Sequence, residues 1–195
     1  MIAFFSLAAV SACSPPAQAP NAEHGASTAS NNAGATSGGA TSSLSALRLS
    51  WEGLGPVRVG MSVPEASGAL HTRFGDALEG GDNSCTEYGL PDAAPGGGIA
   101  IMAIDGKIAR VTIVSGALGV RTPEGIGIGS TEQEVRAAYP GTADSPAPYD
   151  EPPAHDLTFW RHPNADGIRF EIDAHGRVVR MHGGNSAITA IEGCL

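Results

Sequence analysis

The chain has 195 residues, with 11 Lys and Arg against 20 Asp and Glu, and a formal net charge of −9. This charge disfavours nucleic acid as a partner, because phosphate binding needs clustered basic side chains and Lys107 is the only lysine. A cationic peptide or a basic protein surface suits the charge better.

The N-terminal segment has the pattern of an export signal that ends at a lipid-attachment cysteine. Residues 1–12 form an uncharged, mostly apolar run. The run is shorter than the ~20 apolar residues of a membrane-spanning helix, but it suits a signal peptide. It ends in Val10-Ser11-Ala12-Cys13, a branched residue and two small residues before a cysteine. This spacing resembles the lipobox of bacterial lipoproteins, and the resemblance implies a mature chain anchored in the cell envelope through lipid on Cys13.

Residues 13–43 are predicted to be the lipid-bearing cysteine and a disordered tether. Ser14 follows the cysteine, where lipoproteins kept in the inner membrane carry Asp, so the resemblance implies the outer membrane, facing the periplasm. The rest of the segment is almost entirely Ala, Ser, Thr, Gly, Asn and Pro, with Glu23 as its only charged residue. Such a composition cannot bury enough apolar surface to offset the entropy of ordering it. As a flexible coil, it would span roughly 30 Å.

Residues 44–195 have the size of one globular domain. Once Cys13 carries lipid, Cys85 and Cys194 remain, an even number in an oxidising compartment. We therefore predict a disulfide between them, which would stabilise the domain by roughly 4 to 5 kcal/mol in the chain-entropy estimate. Neither cysteine has a CxxC partner, and no cofactor is expected.

Two segments of the domain match each other. Residues 55–66 align without gaps on residues 124–135. In each copy a short β-type run ends in glycine, and a hydroxyl side chain then stands three residues ahead of a glutamate. These pairs, Ser62 with Glu65 and Thr131 with Glu134, form the pattern of a capping box that begins a helix. The match predicts two tandem repeats, about 51–119 and 120–195.

A β-hairpin is predicted in each repeat. Residues 99–114 contain Asp105-Gly106, a dipeptide suited to a tight two-residue turn, and residues 168–182 turn through 173–176. Alternation along the strands predicts which side chains face the helices. These are Met102, Ile104, Val111 and Ile113 in the first hairpin and Phe170, Ile172, Val179 and Met181 in the second. The opposite, polar set is Arg110, Thr112, Arg169, Glu171, Arg180 and His182.

The predicted fold class is α+β, with two tandem helix-plus-antiparallel-strand repeats forming one sheet that has helices on one face. The segments Val57–Ser62 and Ile126–Thr131, each followed by its capping glutamate, resemble the β-lactamase-inhibitor-like fold. The same half-motif is similar to that of the small lipoprotein of the outer-membrane barrel-assembly machine. The resemblance implies a non-enzymatic protein binder that uses the open face of its sheet. That family binds through an aromatic-rich face, which this chain lacks, so inhibition of a β-lactamase is not expected.

We therefore expect a non-enzymatic, lipid-anchored envelope protein that binds another envelope protein through one sheet face, with no catalytic or metal site. The candidate binding residues are Arg110, Arg169, Glu171, Arg180 and His182. An alternative is a metal-dependent or other hydrolase that uses the His-rich final third, although the spacing there matches no zinc-ligand pattern. Its histidines are His155, His162, His175 and His182. A purely structural lipoprotein is a third possibility.

Overall fold

The computed structural model describes residues 44–77, 84–91, 98–114 and 116–194. The predicted signal segment 1–12, the lipid-attachment residue Cys13 and the tether 13–43 lie outside these residues. Among the helices of the described residues, none combines the length and the apolar character needed to cross a membrane.

Strands predominate in the described part of the chain, which also contains two short α-helices. The helices are α1 (Val63–Leu70) and α2 (Glu132–Ala138). The strands are β1 (Leu49–Ser50), β2 (Gly53–Leu54), β3 (Val57–Arg58), β4 (Cys85–Gly89), β5 (Ile99–Ile104), β6 (Lys107–Ile113), β7 (Ala143–Pro146), β8 (His155–His162), β9 (Asp166–Ile172) and β10 (Val178–Asn185).

The strands form two antiparallel sheets. A small sheet has the order β1-β2-β3, and a seven-stranded sheet has the order β4-β5-β6-β10-β9-β8-β7. Both predicted hairpins are confirmed as neighbouring strand pairs, β5 with β6 and β9 with β10. The turn residues Asp105 and Gly106 have φ angles of 49° and 72°, which is the left-handed backbone that a two-residue hairpin turn requires.

The predicted fold class is wrong. The chain does not build one sheet from two equal helix-plus-strand repeats; it is mostly β, with a separate three-stranded sheet. Outside their capping boxes, the two matching segments have different structures. Residues 57–58 form β3 of the small sheet, whereas residues 126–129 form no strand and make only an isolated bridge from Gly127 to Arg121. In residues 49–58 the chain turns back after each two-residue strand, so that β2 pairs with β1 on one side and with β3 on the other.

Both capping boxes are confirmed. The side chains of Ser62 and Thr131 accept hydrogen bonds from the backbone N–H of Glu65 and Glu134, and each glutamate accepts one back from the cap residue. The helices, the small sheet and one face of the large sheet enclose the hydrophobic core. Its largest fully buried members are Tyr139, Phe170, Leu49, Leu54, Ile99, Ile101, Ile108, Ile113, Leu157, Ile168 and Ile172.

Two β-bulges shift the alternation that the sequence predicted. One lies between Met102 and Ala103, and the other between Val178 and Arg180. As a result Ala103 and Val178 belong to the core cluster, whereas Ile104 and Val179 are exposed. An extra residue in one strand turns the following side chains to the other face, and residue alternation alone does not reveal it.

The predicted disulfide between Cys85 and Cys194 is confirmed. Cys85 begins β4, at the edge of the large sheet, and Cys194 lies in the segment that follows β10. The bond therefore ties the end of the chain to the first strand of the seven-stranded sheet.

The close approach of β1 to β10 gives a stability prediction. A Cβ atom on Gly183 would lie 2.3 Å from the backbone oxygen of Ser50, so Gly183→Ala has to push the small sheet away from the large one. We expect it to lower the free energy of unfolding by about 2 to 3 kcal/mol in urea denaturation. Gly68→Ala is the matched control: this helical position has open space around it, and alanine should stabilise by about 0.5 to 1 kcal/mol. An unchanged midpoint for Gly183→Ala would contradict the tight packing of the two sheets.

Candidate binding face

The structure brings the five candidate residues to one face of the seven-stranded sheet, opposite the hydrophobic core. Thr112, His182 and Arg169 are paired in register across β6, β10 and β9. In the neighbouring row Arg180 is paired with Glu171, and Glu171 with Asp156 of β8. We call this surface the polar face; its members are Glu87, Arg110, Thr112, Asp156, Arg169, Glu171, Arg180 and His182.

Glu171 is the centre of the polar face. Its Oε1 atom lies 2.9 Å from a terminal guanidinium nitrogen of Arg169 and 2.8 Å from Nε2 of His182. Its Oε2 atom accepts a hydrogen bond of 2.8 Å from Arg180. Burial alone would raise the pKa of Glu171, but the hydrogen bond from His182 and the charges of Arg180 and Arg169 lower it to about 2. Glu171 is therefore an anion that holds three side chains.

His182 is the buried neutral member of this cluster. Its side chain is 4% exposed, and Nδ1 lies 3.0 Å from the hydroxyl oxygen of Thr112. Burial lowers the pKa of His182 to about 4; the hydrogen bond to Glu171 opposes this shift, and the nearby charges of Arg169 and Arg110 add to it. At neutral pH one tautomer satisfies both contacts, because Nε2–H donates to Glu171 and Nδ1 accepts from the Thr112 hydroxyl.

Arg110 anchors the chain end to the same face. One terminal nitrogen donates to Glu87 at 2.7 Å, and the other donates to the carbonyl oxygens of Ala187 and Ala190 at 3.1 and 2.7 Å. The short 3-10 helix Ser186–Thr189 contacts β6, β9 and β10. Its residue Ile188 packs closely on β9, since a Cβ atom added to Gly167 would lie 3.2 Å from the Ile188 side chain. This part of the face is therefore covered by the chain's own C-terminal segment, and the expectation of a fully open face is wrong here.

The other buried groups of the polar face have fewer hydrogen bonds. The Asp156 carboxylate lies 3.8 Å from Arg169, and both side chains are more than nine-tenths buried. Three of the buried side-chain atoms have no hydrogen-bond partner: Asp156 Oδ1, Arg169 Nε and Arg110 Nε. Burial raises the pKa of Asp156, although the charge of Arg169 opposes the shift. Buried charges of this kind are weak evidence for stability, because the cost of removing them from water offsets the attraction between them.

Access from solvent is concentrated at one residue. The Arg180 side chain is 48% exposed, whereas those of Arg110, Arg169 and His182 are almost fully buried. Of the five predicted residues, Arg180 is thus the most accessible from solvent, with Glu171 directly behind it. Arg180 and Glu171 are cross-strand neighbours and form an ion pair.

The four histidines of the final third do not converge. His182 belongs to the polar face; His162 contacts Asp166, and His175 lies exposed in the β9–β10 turn. His155 is the exception that approaches other metal-ligating side chains. Its Nε2 atom lies 3.4 Å from Glu132 and 3.9 Å from Asp144, and ligand atoms of the three residues lie within 4.8 Å of one another.

An arginine already pairs with both carboxylates of this second cluster. Arg136 donates to Glu132 at 2.8 Å and makes two hydrogen bonds to Asp144. These hydrogen bonds raise the pKa of Arg136 and lower that of Asp144. Glu132, Asp144 and His155 are the described residues that could hold a metal ion, but the ion would have to displace the guanidinium from both carboxylates.

Sequence reasoning missed Glu87 and Asp156 of the polar face and the cluster around Arg136. Glu87 lies on β4 and Asp156 on β8, two strands that the sequence analysis did not place. Asp156 and Thr158 do alternate with Leu157 and Phe159, which is the period-2 pattern of a strand with one polar face. That pattern would have found β8, whereas Glu87 has no comparable pattern around it.

Comparison with known proteins gives little. No protein-family model matches the chain, and no curated protein matches it. Among solved structures, the crystal structure of the uncharacterized protein yfeY from Escherichia coli is similar over 70% of this chain and 99% of that chain, with 12% sequence identity and a TM-score of 0.49. The resemblance to β-lactamase-inhibitor-like proteins remains a prediction.

The burial of His182 predicts a pH-dependent stability. Its pKa in the folded state, about 4, lies below the usual value of 6.5, so folding excludes a proton between these pH values. The contribution of His182 to the free energy of unfolding should be fully present above pH 6.5 and should be lost as the pH falls toward 4. Between pH 7 and pH 5 the free energy of unfolding should fall by about 2 kcal/mol. In urea denaturation, His182→Gln should remove this part of the pH dependence, because glutamine cannot be protonated.

His175→Gln is the control, since this side chain lies in an exposed turn. It should keep the slope of the unsubstituted protein between pH 7 and pH 5. If His182→Gln also keeps that slope, His182 is not the buried neutral group described above.

Proposed function

We propose that this chain is a non-enzymatic, lipid-anchored protein of the bacterial cell envelope that binds another envelope protein through the polar face. One observation carries the binding part of the proposal. The half-exposed Arg180 is fixed by Glu171, which is itself held by the buried side chains of Arg169 and His182. A charge that is positioned before binding loses less side-chain entropy when a partner arrives.

The anchoring part rests on the sequence alone. Val10-Ser11-Ala12-Cys13 follows an uncharged apolar run, and residues 14–43 have the composition of a flexible tether. The disulfide between Cys85 and Cys194 supports an oxidising compartment, because such bonds are rare in the reducing cytosol. A lipid-anchored module on a tether would stay near the membrane while its polar face meets a partner.

The hydrolase alternative has weaker support. Its four histidines lie in separate surroundings, and the neighbours of His155 are held by Arg136. The Thr112 hydroxyl does lie 3.0 Å from Nδ1 of His182, but both residues are buried, with 5% and 3% exposed, so a substrate has no access to them and we do not propose a hydrolase.

Partner binding is tested by substitution of the exposed arginine. With a photo-crosslinking amino acid at Val179, which is 43% exposed beside Arg180, we expect one discrete adduct in intact cells. Arg180→Ala should reduce the adduct at least about tenfold, equivalent to about 1.4 kcal/mol. The same change should lower the free energy of unfolding by less than about 1 kcal/mol, because Arg180 is half-exposed.

Arg177→Ala is the matched control for that experiment. Arg177 is an exposed arginine three residues away whose guanidinium donates to the carbonyl of Gly129, away from Glu171. It should leave the adduct unchanged. Equal adduct yields from the two variants would remove the polar face from the proposal.

Lipid anchoring is tested separately at Cys13. Cells that express the full chain should incorporate radiolabelled palmitate into it, and the protein should sediment with membranes. Cys13→Ser should abolish both results, because the thiol that accepts the lipid is lost. Ser14→Ala serves as the control and should still be labelled. Labelling that persists in Cys13→Ser would exclude this residue as the anchor.

A further inference from the structure

A pocket with a volume of about 400 Å³ opens between the end of β7 and the start of β8. Its walls are mostly apolar and include Pro146, Pro152 and Pro153, and the acidic residues Asp144 and Asp150 also line it. Volumes of this size accommodate a single side chain or a small ligand. The pocket lies on the β7–β8 hairpin and contains none of the residues that form the polar face.

The two carboxylates of the pocket differ in their neighbours. Asp144 is bound by Arg136, as described above. Asp150 is exposed and makes no hydrogen bond or ion pair with the described residues. Apart from Arg136, the surrounding chain offers no counter-charge, since residues 137–160 contain four acidic residues and no Lys or Arg. The pocket therefore has a negative charge that is not neutralised from within its own segment.

Hydrogen bonds at several points hold the pocket in shape. Tyr149 donates through its hydroxyl to Glu192 of the C-terminal segment, and the N–H of Ala154 donates to the carbonyl of Glu151. At the base, Nδ1 of His155 lies 2.9 Å from the carbonyl oxygen of Pro153. A ligand would therefore enter a largely formed site and would not have to order the loop.

From this geometry we propose that the pocket binds a lysine side chain of a partner protein. The proline rings pack against the four-carbon stem, and the ammonium group pairs with the carboxylate of Asp150 at the mouth. Lysine fits because it combines an apolar stem with a compact charge, which matches apolar walls beside a single unpaired carboxylate. This site is separate from the polar face, and its occupant does not depend on whether that face binds anything.

The experiment uses a short peptide as the probe. ¹⁵N-labelled full-length protein is titrated with the blocked pentapeptide Ala-Ala-Lys-Ala-Ala, and amide chemical shifts are followed by NMR. We expect saturable shifts confined to residues 144–155. The same peptide with an Nε-acetylated lysine should shift these amides at least about fivefold less at equal concentration, because it lacks the charge.

Two variants separate the pocket from the general acidity of the loop. Asp150→Asn should weaken peptide binding about fivefold, a change of about 1 kcal/mol. Glu151→Gln removes the same charge from the adjacent residue, which does not line the pocket, and should change the affinity less than about twofold. Shifts spread over the whole acidic surface, or equal weakening by both variants, would overturn the proposal. The crosslinking experiment at Val179 tests the polar face separately, so neither outcome of the peptide titration changes its interpretation.

Discussion

Glu171 is the constraint around which the large sheet is arranged. Three donors from β9 and β10 meet at its two oxygens, and they can do so only if those strands keep one register. A shift of one residue would bury the arginines without an anion and would place Glu171 in the hydrophobic core. The polar face thus specifies the same strand pairing as the core, and the two faces of the sheet support each other.

Local features of the fold were predictable because each rests on a few neighbouring residues. The hydroxyl–glutamate pairs at Ser62 and Thr131 predicted both helix starts, and Asp105-Gly106 predicted the first hairpin. The architecture was not predictable from the matching segments. Similar sequence patterns formed β3 in one place and an irregular segment in the other, because strand formation depends on which partner lies alongside. The bulges at Met102 and Val178 could not be found from alternation either.

The candidate site was predictable in part of its membership but not in its exposure. Alternation placed five residues on one face, and the observed register agrees with it. Sequence patterns contain no information on the path of residues 186–194, which cover Arg110 from 77 positions away. They also could not show that His182 is neutral, since its surroundings come from three strands. Arg136 lies between two carboxylates only because α2 and β7 come close together in the fold, and sequence patterns do not show this either.

The position of β10 in the middle of the sheet has a consequence for biosynthesis. Two halves of the sheet, β4-β5-β6 and β9-β8-β7, join only through this last strand. A chain synthesised from its N-terminus therefore cannot complete its central strand pairs until β10 has been made. Until then, β6 has an unpaired edge beside apolar residues, and such an edge can pair with other chains. The disulfide between Cys85 and Cys194 also forms only after this strand, because Cys194 follows β10 in the chain.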